Sequence, residues 1–503
     1  MVVSAIYVTT GTEDWPDAAK KLQIHQDIQP KYWVTHKLAD KVERLFDNVT
    51  IHDSKNAINA EFPEDPPSGI LYSPLDSKIL SKFSYCETIA LEMMNRHDGQ
   101  NRNNQTLTYQ QRIDRYHEYL SYWSYIVEKN DLDVAIFGST PHLVYDYILY
   151  CVCRHFDVET VILTHTGLPN RFLVRNQIHE DPLNQVSTST DKSISEINKK
   201  YLQNIKQDYD SAEPSYMSKD RIDRGIIDYV DRIIKSGQIA YRSVTNLLYL
   251  LEKKLNYKKS LDERLYSQIR NGIASLFIPK LYRLKLKRDY ENKSSCPDTN
   301  KQYIYFPLHY QPERTTSPEG GYYTHQHLAI NLIVSEIPDN WEVFVKEHPS
   351  QFSSRLQGEK GRSPDYYEYL QQIPSVSLVT MNSNPFDLID NAEAVATVTG
   401  TSGWEALIRG TPTIVFGNAW YRTAPGCYYV KSTDDLTSAI NSISEDDLTA
   451  NNIEHFISSV EKNSYIGSLN SKNDKNIESL YSAVCDSINE CRVERKTAET
   501  SDF

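Results

Sequence analysis

Apolar runs alternate with amphipathic segments throughout the C-terminal half of the chain. Runs rich in β-branched and aromatic residues occur at 303–308, 341–345, 376–379 and 395–398. The intervening segments, such as His327 to Ile337 and Pro385 to Ala392, have the three- and four-residue apolar spacing of helices. Strands that are apolar on both faces are typical of a parallel sheet covered by helices. From residue 301 to about 445 the pattern predicts five successive βα units.

The N-terminal half has the same α/β rhythm in a weaker form. Helical spacing extends over 107–129 and 146–153, and short strands are predicted at 2–8, 32–35, 49–52, 69–72, 134–137 and 160–163. A chain of 503 residues is too long for one hydrophobic core. The sequence therefore predicts a second α/β domain in this half.

The residues between the two halves and those at the C-terminus are more polar. Charged helical segments are predicted at 196–208, 221–234 and 240–255, and the segment 277–288 alternates apolar and cationic residues. This last segment either rests on an anionic membrane surface or forms a solvated helix with snorkelling lysines. The segment 492–503 is predicted to be disordered. We divide the chain into an N-terminal α/β domain (1–185), a helical insertion (186–300), a C-terminal α/β domain (301–470), and a helix with a polar tail (471–503).

A turn of small residues, Thr399-Gly400-Thr401-Ser402-Gly403, joins a predicted strand directly to a predicted helix. Glycines let the backbone approach a phosphate, the hydroxyls of Thr401 and Ser402 donate to its oxygens, and the helix N-terminus favours negative charge. The ligand that fits such a turn is a nucleotide phosphate. The alternative is an ordinary strand-to-helix turn capped by Ser402.

Two further polar clusters follow predicted strands. One strand ends in Lys346-Glu347-His348-Pro349, and another runs into His309-Tyr310 and then Gln311-Pro312-Glu313-Arg314. Ligands of open parallel sheets bind beyond the carboxyl ends of the strands, so these clusters are predicted to converge with the turn on one site. If the side chain of Lys346 points to the opposite face of the sheet, however, it is only a surface lysine.

The N-terminal half offers candidates for residues that bind an acceptor or act as a catalytic base. His142 and Asp146, separated by four residues, follow the strand 134–137, while His165 and Arg171 follow the strand 160–163. On one helix face, the carboxylate of Asp146 can orient the imidazole of His142 for proton transfer. The alternative for Asp146 is a helix cap with local hydrogen bonds.

Charge and cysteine usage narrow the classes of function. The formal net charge of −13 argues against nucleic acid as a general partner. The seven cysteines are scattered and lack paired spacing, so neither a disulfide framework nor a zinc site is indicated. No apolar run approaches the length of a membrane span, and the first residues do not have the pattern of a signal peptide. We expect a cytoplasmic protein, with the inner face of the membrane as one option for where it acts.

The three C-terminal clusters together resemble the capsular polysaccharide biosynthesis family, which includes bacterial β-Kdo transferases. The likeness is carried by PLHYQPERTTSPEGGYY, VKEHPS and VTGTSGWEALIRGTPTIVFG, and only loosely by FGSTPHLVYDYILY and THTGLPNR. It implies a GT-B fold, in which two Rossmann-like domains face each other across a cleft and the C-terminal domain binds the sugar nucleotide. In the Kdo transferases an acidic residue tends to follow further on from the Gln-Pro pair, whereas this chain has Glu313 and Arg314 next to it.

The matched residues have roles that the chemistry of a departing phosphate explains. We expect Lys346, His348 and the turn residues Gly400, Thr401, Ser402 and Gly403 to bind the phosphate. Gln311, Glu313 and Arg314 are assigned to the donor as well, with Glu313 and Arg314 meeting its sugar. Glu405 either closes a capping box with Ser402 or accepts the ribose hydroxyls. Asp146 and His142 are the candidate base pair, and His165 and Arg171 lie on the acceptor side.

The resulting prediction is a glycosyltransferase that transfers a sugar, CMP-linked among other options, to a surface polysaccharide or lipid-linked glycan. No Asp-x-Asp pair stands out after a strand, so metal independence is expected, and no cofactor is expected besides the nucleotide-sugar substrate. Three alternatives are a polyol-phosphate transferase of the teichoic-acid type, a non-catalytic carbohydrate-binding protein, and a nucleotide-sugar 2-epimerase.

Overall fold

The computed structural model describes residues 2–63, 73–97, 107–183, 194–207, 209, 281–313, 315–353, 356–444, 452–469 and 476–501. These residues form two α/β units, each built around its own sheet. The α/β fold class with two Rossmann-like domains, as in the GT-B fold, is confirmed. The predicted strand at 69–72 and the predicted helices at 221–234 and 240–255 lie outside the described residues.

The N-terminal sheet has seven strands in the order β13-β6-β5-β4-β1-β2-β3. Its strands are β1 Val3–Val8, β2 Ile28–Val34, β3 Thr50–His52, β4 Val134–Phe137, β5 Glu159–His165, β6 Arg171–Arg175 and β13 Tyr465–Ile466. The helices of this half are α1 Trp15–Gln26, α2 Ala39–Leu45, α3 Ser54–Ile58, α4 Ser77–Lys82, α5 Ser84–His97, α6 Tyr109–Lys129 and α7 Val144–His155.

The C-terminal sheet has six strands, all paired in parallel, in the order β12-β11-β10-β7-β8-β9. They are β7 Tyr303–Pro307, β8 Glu342–Lys346, β9 Val376–Leu378, β10 Ala394–Thr397, β11 Thr413–Val415 and β12 Cys427–Tyr429. The remaining α-helices are α8 Glu196–Lys206, α9 at 281–293, α10 Gln326–Glu336, α11 Tyr366–Gln372, α12 Pro385–Asp390, α13 Thr401–Arg409, α14 Thr433–Ser444, α15 Asn452–Asn463 and α16 Asn476–Ser501. Short 3-10 helices lie at Gly321–Thr324, Pro349–Phe352 and Gly358–Lys360.

Each sheet has a hydrophobic core on both faces, which explains why its central strands read as continuous apolar runs. On β7, for example, Tyr303 and Tyr305 pack into one core while Ile304 and Phe306 pack into the other. The polar clusters singled out in the sequence of this half lie at or just after the ends of β7, β8 and β10, because there the backbone leaves the two cores.

The hairpin of β5 and β6 differs from the sequence prediction. β5 continues to His165, and after a short turn the chain returns antiparallel as β6, with His165 opposite Phe172. The sequence places Arg171 in a loop at a strand end, whereas it is the first residue of β6. A hairpin depends on pairing across the turn, and the apolar pattern of one strand does not reveal that pairing.

The C-terminal segment packs on the N-terminal sheet. The predicted domain boundary at residue 470 did not include this contact, because it assigned Tyr465 and Ile466 to the C-terminal domain. Tyr465 and Ile466 pair antiparallel with β6, and Leu480 and Val484 of α16 pack into the core around β1. The predicted disordered tail is also wrong, since α16 continues to Ser501. The segment after Arg492 contains helix-favouring Glu, Lys, Arg and Ala, which extend a helix that is already packed on the sheet.

Three side chains link the two halves beside the ends of their strands. Arg96 donates to the carbonyl oxygens of Glu313, at 2.7 Å, and of His142. Arg175 pairs with Glu319, and both side chains are nearly buried. His325 pairs with Glu92 at 2.9 Å. The loop that follows β7 is thereby attached to the N-terminal half.

Candidate functional site

A cavity of about 380 Å³ lies beyond the carboxyl ends of β7, β8 and β10. Most of the predicted donor-binding residues line it: Glu313, Lys346, His348, Gly400, Thr401, Ser402 and Glu405. Its size falls at the lower end of the ~300–1,000 Å³ typical of small-molecule sites. The three polar clusters therefore converge on one cavity in the structure, where the parallel-sheet argument placed them.

The small-residue turn forms the N-terminus of α13 at the edge of this cavity. Gly400 is the N-cap, with φ −72° and ψ 151°, and the helix begins at Thr401. Ser402 is therefore not the cap that the alternative interpretation assigned to it. A Cβ atom on Gly400 would lie 2.7 Å from Oγ1 of Thr397, so a side chain here would displace the turn. The amides of the first helical residues, with the hydroxyls of Thr401 and Ser402, face a site suited to an anion.

Gly403, predicted to bind the donor, serves the packing of the turn instead. A Cβ atom on Gly403 would lie 2.4 Å from the hydroxyl of Tyr421, and that hydroxyl donates to the carbonyl oxygen of Gly400. Gly403 does not line the cavity. Its absent side chain makes room for the tyrosine that holds the turn from behind.

His348 caps the short 3-10 helix Pro349–Phe352 and lines the cavity. Its Nδ1 accepts a hydrogen bond from the amide of Ser350 at 3.1 Å. Burial lowers the pKa of His348, although the nearby carboxylates of Glu313 and Glu347 act in the opposite direction. A neutral ring with Nδ1 as acceptor carries its proton on Nε2. His348 is therefore arranged as a neutral hydrogen-bond donor.

His309 is a site residue that we did not single out from the sequence. Its ring is buried, its Nε2 lies 3.0 Å from Oγ1 of Thr397, and the amide of Thr399 donates to the same nitrogen at 3.3 Å. Because Nε2 acts as an acceptor, the ring proton resides on Nδ1, which lies 3.7 Å from Oε2 of Glu313. Its position two residues after the apolar strand is the signal that could have identified it.

Glu313 is held by His309 and by Thr315, whose hydroxyl donates to Oε1. Burial acts to raise the pKa of Glu313, but these hydrogen bonds and the nearby rings of His309 and His348 outweigh it, so the pKa lies below its ordinary value. Glu313 is thus an ionised carboxylate at neutral pH, positioned at the rim of the cavity.

Lys346, the last residue of β8, and Glu347, which follows it, both line the cavity but differ in their contacts. Lys346 is buried and lines the cavity, so it is not the surface lysine of the alternative interpretation. The carboxylate of Glu347 forms a fully buried ion pair with Arg362, at 2.8 Å and 3.0 Å, and accepts from Tyr367 at 2.7 Å. The carboxylate of Glu347 is therefore engaged by Arg362 and Tyr367.

Glu405 lines the cavity from the second turn of α13. The capping-box interpretation is wrong, because a helix that begins at Thr401 places Glu405 beyond the capping position. Burial raises the pKa of Glu405 to about 7, while Arg409 opposes the shift. The carboxyl group remains available for ribose hydroxyls.

Gln311, also predicted to bind the donor, holds its own loop together. Its side-chain amide donates to Oγ1 of Thr316 at 2.6 Å, its side-chain oxygen accepts from the amide of Glu313 at 3.2 Å, and its backbone binds Gln351. It does not line the cavity at the strand ends. Arg314 lies outside the described residues.

Asp146 and His142 do not reach this cavity. The carboxylate of Asp146 is fully buried and accepts from the amides of Leu143, at 2.7 Å, and His142, at 3.3 Å, so it caps the start of α7. Burial raises the pKa of Asp146 to about 8, against the effect of those amides and of Arg96. The ring of His142 contacts the carbonyl oxygen of Thr140 rather than the carboxylate. The structure therefore matches the capping alternative, and the proposed base pair is not formed.

The acceptor-side candidates of the hairpin are also absent from the cavity. Arg171 donates to the carbonyl oxygen of Glu461 at 2.7 Å, which fastens the end of α15 to β6. His165 ends β5, in register with Phe172. Arg171 therefore belongs to the attachment of the C-terminal segment, and neither Arg171 nor His165 lines the cavity at the strand ends.

A second cavity, of about 280 Å³, lies between α5 of the N-terminal half and the loop after β7. It is lined by residues of both halves, among them Glu92, Arg96, Gln311 and Tyr366. Glu313 lines both cavities. Glu313 therefore lies where the cavity at the strand ends meets the space between the domains.

Among the described residues, no group of three or more His, Cys, Asp or Glu side chains is arranged to hold a metal ion; metal independence stays a prediction. In the same part of the chain no helix is both long and apolar enough to cross a membrane.

Residues 266–456 match the sequence model of a family described as "Capsule polysaccharide biosynthesis protein", which confirms the resemblance stated above. The capsule polysaccharide modification proteins LipA of Neisseria meningitidis serogroups B and A are each 35% identical over 80 residues. This alignment spans 16% of the present chain and 10% of LipA, about a tenth of the relatives' length.

Solved structures are similar only at low identity. The β-Kdo 2,7 transferase KpsC of Thermosulfurimonas dismutans is 13% identical, with 74% of this chain and 95% of that chain covered and a TM-score of 0.25. The UDP-GlcNAc 2-epimerase of Methanocaldococcus jannaschii, in complex with UDP-GlcNAc and UDP, is 11% identical, with coverages of 92% and 98% and a TM-score of 0.26. Likenesses this remote support no conclusion about activity.

Proposed function

We propose that this chain, whose residues 266–456 belong to the capsule polysaccharide biosynthesis family, is a GT-B glycosyltransferase. It would transfer a sugar from a nucleotide-sugar donor to a growing surface or capsular polysaccharide or a lipid-linked glycan. The observation that carries the proposal is the cavity at the ends of β7, β8 and β10, where a helix N-terminus, Lys346 and His348 face the same space. Such a set of donors suits the phosphate of an activated sugar.

In the proposed binding mode, the phosphate, the ribose and the sugar of the donor contact different residues of the cavity. The phosphate lies at the amides and hydroxyls of Thr401 and Ser402, with the Nε2 proton of His348 and the charge of Lys346 directed toward it. The ribose lies toward Glu405, whose carboxyl group accepts its hydroxyls. The sugar lies toward Glu313, at the junction with the second cavity. A CMP-linked donor is the first candidate to test.

The chemistry then requires one bond to form and one to break. An oxygen of the acceptor attacks the anomeric carbon while the bond from that carbon to the phosphate oxygen breaks, and the nucleotide leaves with the electron pair. His348, Lys346 and the helix N-terminus stabilise the negative charge that develops on the leaving phosphate. The ionised carboxylate of Glu313 takes the proton of the acceptor hydroxyl, in place of the base predicted at Asp146.

Contact with a membrane-linked acceptor is the proposed role of the basic helix α9. Its apolar side packs on the C-terminal domain through Leu286 and Tyr290, while Lys285 and Arg288 are exposed. Arg283 is engaged by Glu359 instead. The exposed cations are the ones available to an anionic surface at the inner face of the membrane.

A transfer assay with CMP-, UDP-, GDP- and CDP-activated donors tests the proposal. Release of nucleotide that depends on an oligosaccharide acceptor, with a new glycosidic bond in the product, is the expected result. A phosphodiester in the product, detected by ³¹P NMR, would instead establish the polyol-phosphate transferase. Turnover of the donor without any acceptor would indicate an epimerase or hydrolase.

A further inference from the structure

We infer that Arg362 is a positioning residue, which holds together the two loops that carry His348 and Glu313 at the cavity of the strand ends. The inference rests on the proposed function, because it assigns a role in that site to a residue outside it. Arg362 lines the second cavity and is absent from the walls of the first. One of the two loops follows β8 and carries His348, and the other follows β7 and carries His309 and Glu313.

The loop after β8 is held through the carboxylate of Glu347. Nε of Arg362 donates to Oε2 of Glu347 at 2.8 Å, and Nη2 donates to Oε1 at 3.0 Å. Oε1 also accepts from the backbone amide of His348 at 2.7 Å, and Oε2 accepts from the hydroxyl of Tyr367 at 2.7 Å. The side chains of Arg362 and Glu347 are 2% and 0% exposed, so bulk water does not compete for these bonds. Arg362 therefore fixes the carboxylate that binds the backbone of His348.

The loop after β7 is held through the carbonyl oxygen of His309. The Nη2 atom of Arg362 that donates to Glu347 also donates to this oxygen, at 2.8 Å, because it carries two hydrogens. The amide of His309 donates to Oε1 of Gln326 at 2.7 Å, so both polar groups of its backbone are engaged. The ring of His309 in turn lies 3.7 Å from Oε2 of Glu313. One guanidinium group thus joins the loop of the proposed phosphate donor to the loop of the proposed base.

The backbone next to Arg362 is packed tightly against the loop that follows β7. A Cβ atom on Gly361 would lie 2.2 Å from the carbonyl oxygen of Gln311, so a side chain there would push the two segments apart. The side-chain amide of Gln351 donates to the carbonyl oxygens of Gln311, at 2.9 Å, and Gly358, at 2.6 Å. These contacts place the arginine beside both loops.

The geometry of these contacts favours a positioning role over a contribution to stability alone. A buried ion pair loses its hydration, so it is often no more stabilising than apolar residues of similar size. The planar guanidinium group has donors in fixed directions, and Arg362 uses them on two loops. A lysine keeps the charge but lacks this fork, so it cannot hold both acceptors in the same geometry.

Isothermal titration calorimetry of the full chain with CMP, CDP, UDP and GDP tests the inference. Arg362→Lys is expected to weaken binding of the nucleotide that the wild type binds by about tenfold, the loss typical of one hydrogen bond to a charged group, because His348 is displaced from the phosphate. In the His348→Ala background the same change should weaken binding by less than about threefold, since the ring through which Arg362 acts is gone. An effect as large as in the wild type would show that Arg362 does not act through His348.

Arg283→Lys is the matched control. Two nitrogens of Arg283 donate to the nearly buried carboxylate of Glu359, and a third donates to the carbonyl oxygen of Ser353 at 2.7 Å. Arg283 lines neither cavity. The control variant should therefore bind nucleotide as the wild type does.

The double variant Glu347→Gln/Arg362→Met covers the case in which Arg362→Lys does not fold, because it leaves no buried charge unpaired. It should lose nucleotide affinity as Arg362→Lys does, and circular dichroism checks that both are folded. Wild-type affinity in either folded variant would overturn the inference. A wild type that binds nucleotide but transfers no sugar would refute the proposed function, while the comparison of variants still decides the role of Arg362. Absence of nucleotide binding in the wild type would refute both.

Discussion

The amide of Ser350 donates to Nδ1 of His348 at 3.1 Å, and this bond sets the tautomer of a ring that lines the cavity at the strand ends. The proton of the neutral ring is therefore on Nε2, where a phosphate oxygen can accept it. The sequence alone allowed a protonated histidine in this role, whereas burial lowers the pKa of His348 and favours the neutral form.

His348→Ala is expected to lower kcat by about 10²–10³-fold, the usual loss on removal of one donor to a developing charge. His348→Gln, which can place an amide N–H near the position of Nε2, should recover part of that loss. Steady-state kinetics of both variants checks the prediction.

The pH profile of wild-type activity adds a second check. Because burial lowers the pKa of His348, the ring stays neutral at pH values at which an ordinary histidine begins to take up a proton, so wild-type activity should not rise as the pH falls from 8 to 6. A steep rise in activity would instead indicate that the protonated form of His348 is the active one.

Glu313→Gln is expected to lower kcat by on the order of 10²–10⁴-fold, the contribution typical of a general base. Nucleotide affinity should change little, because the phosphate contacts lie on other residues. The lowered pKa of Glu313 predicts that activity persists at pH 6 and is lost only when the carboxylate takes up a proton at more acidic pH. A folded variant with near-normal transfer would remove Glu313 from the mechanism.

Asp146→Asn is expected to retain transfer activity, because the carboxylate caps α7 and does not line a described cavity. Its pKa of about 8 in the folded protein exceeds that of an unfolded aspartate. Only the folded state then holds this proton between about pH 4 and pH 8, so stability falls as the pH rises through that range.

The variant lacks this titration. Chemical denaturation at pH 5, 6 and 7 should show the stability of the wild type falling more steeply than that of Asp146→Asn, by up to about 1.4 kcal/mol per pH unit. Asp76→Asn, a change at an exposed cap of α4, serves as the control. Parallel pH dependences in the wild type and Asp146→Asn, or loss of transfer in a stable variant, would contradict the structural assignment.

Much of the fold and part of the site follow from the sequence because their signals are local. The apolar runs of the C-terminal half predict the strands, and the turn from Thr399 to Gly403 predicts the strand-to-helix junction that lines the cavity. His348 was found because it belongs to the polar cluster that follows the strand β8. In each case the residues that carry the signal are neighbours in the chain.

The remaining features depend on contacts between distant residues. The link from His309 to Thr397 spans 88 residues, and the attachment of Arg171 to Glu461 spans 290. Contacts between residues so far apart in the chain leave no periodic pattern in the sequence. The burial of Asp146 likewise depends on α7 packing against its neighbours, so the spacing of His142 and Asp146 supported a catalytic pair that the structure does not form.

Arg96→Met is expected to lower kcat by on the order of 10²-fold, because a small displacement of a catalytic group has such an effect. Arg96 holds the carbonyl oxygens of Glu313 and Ser317, and its loss frees the loop that carries the carboxylate. Nucleotide affinity should stay the same. Arg154→Met, at an exposed position of α7, is the control. Unchanged kcat in a folded Arg96 variant would show that the link between the halves does not position Glu313.

The central claim is that the cavity at the strand ends of the C-terminal domain binds a nucleotide phosphate, and isothermal titration calorimetry tests it most directly. CMP, CDP, UDP and GDP are titrated into the wild type, the double variant Thr401→Val/Ser402→Ala, and the control Ser438→Ala, whose hydroxyl is exposed on α14. The account predicts that at least one nucleotide binds the wild type and the control equally, and that the double variant binds it at least tenfold more weakly. Absence of binding by all four nucleotides, or equal affinity in the double variant, would contradict it.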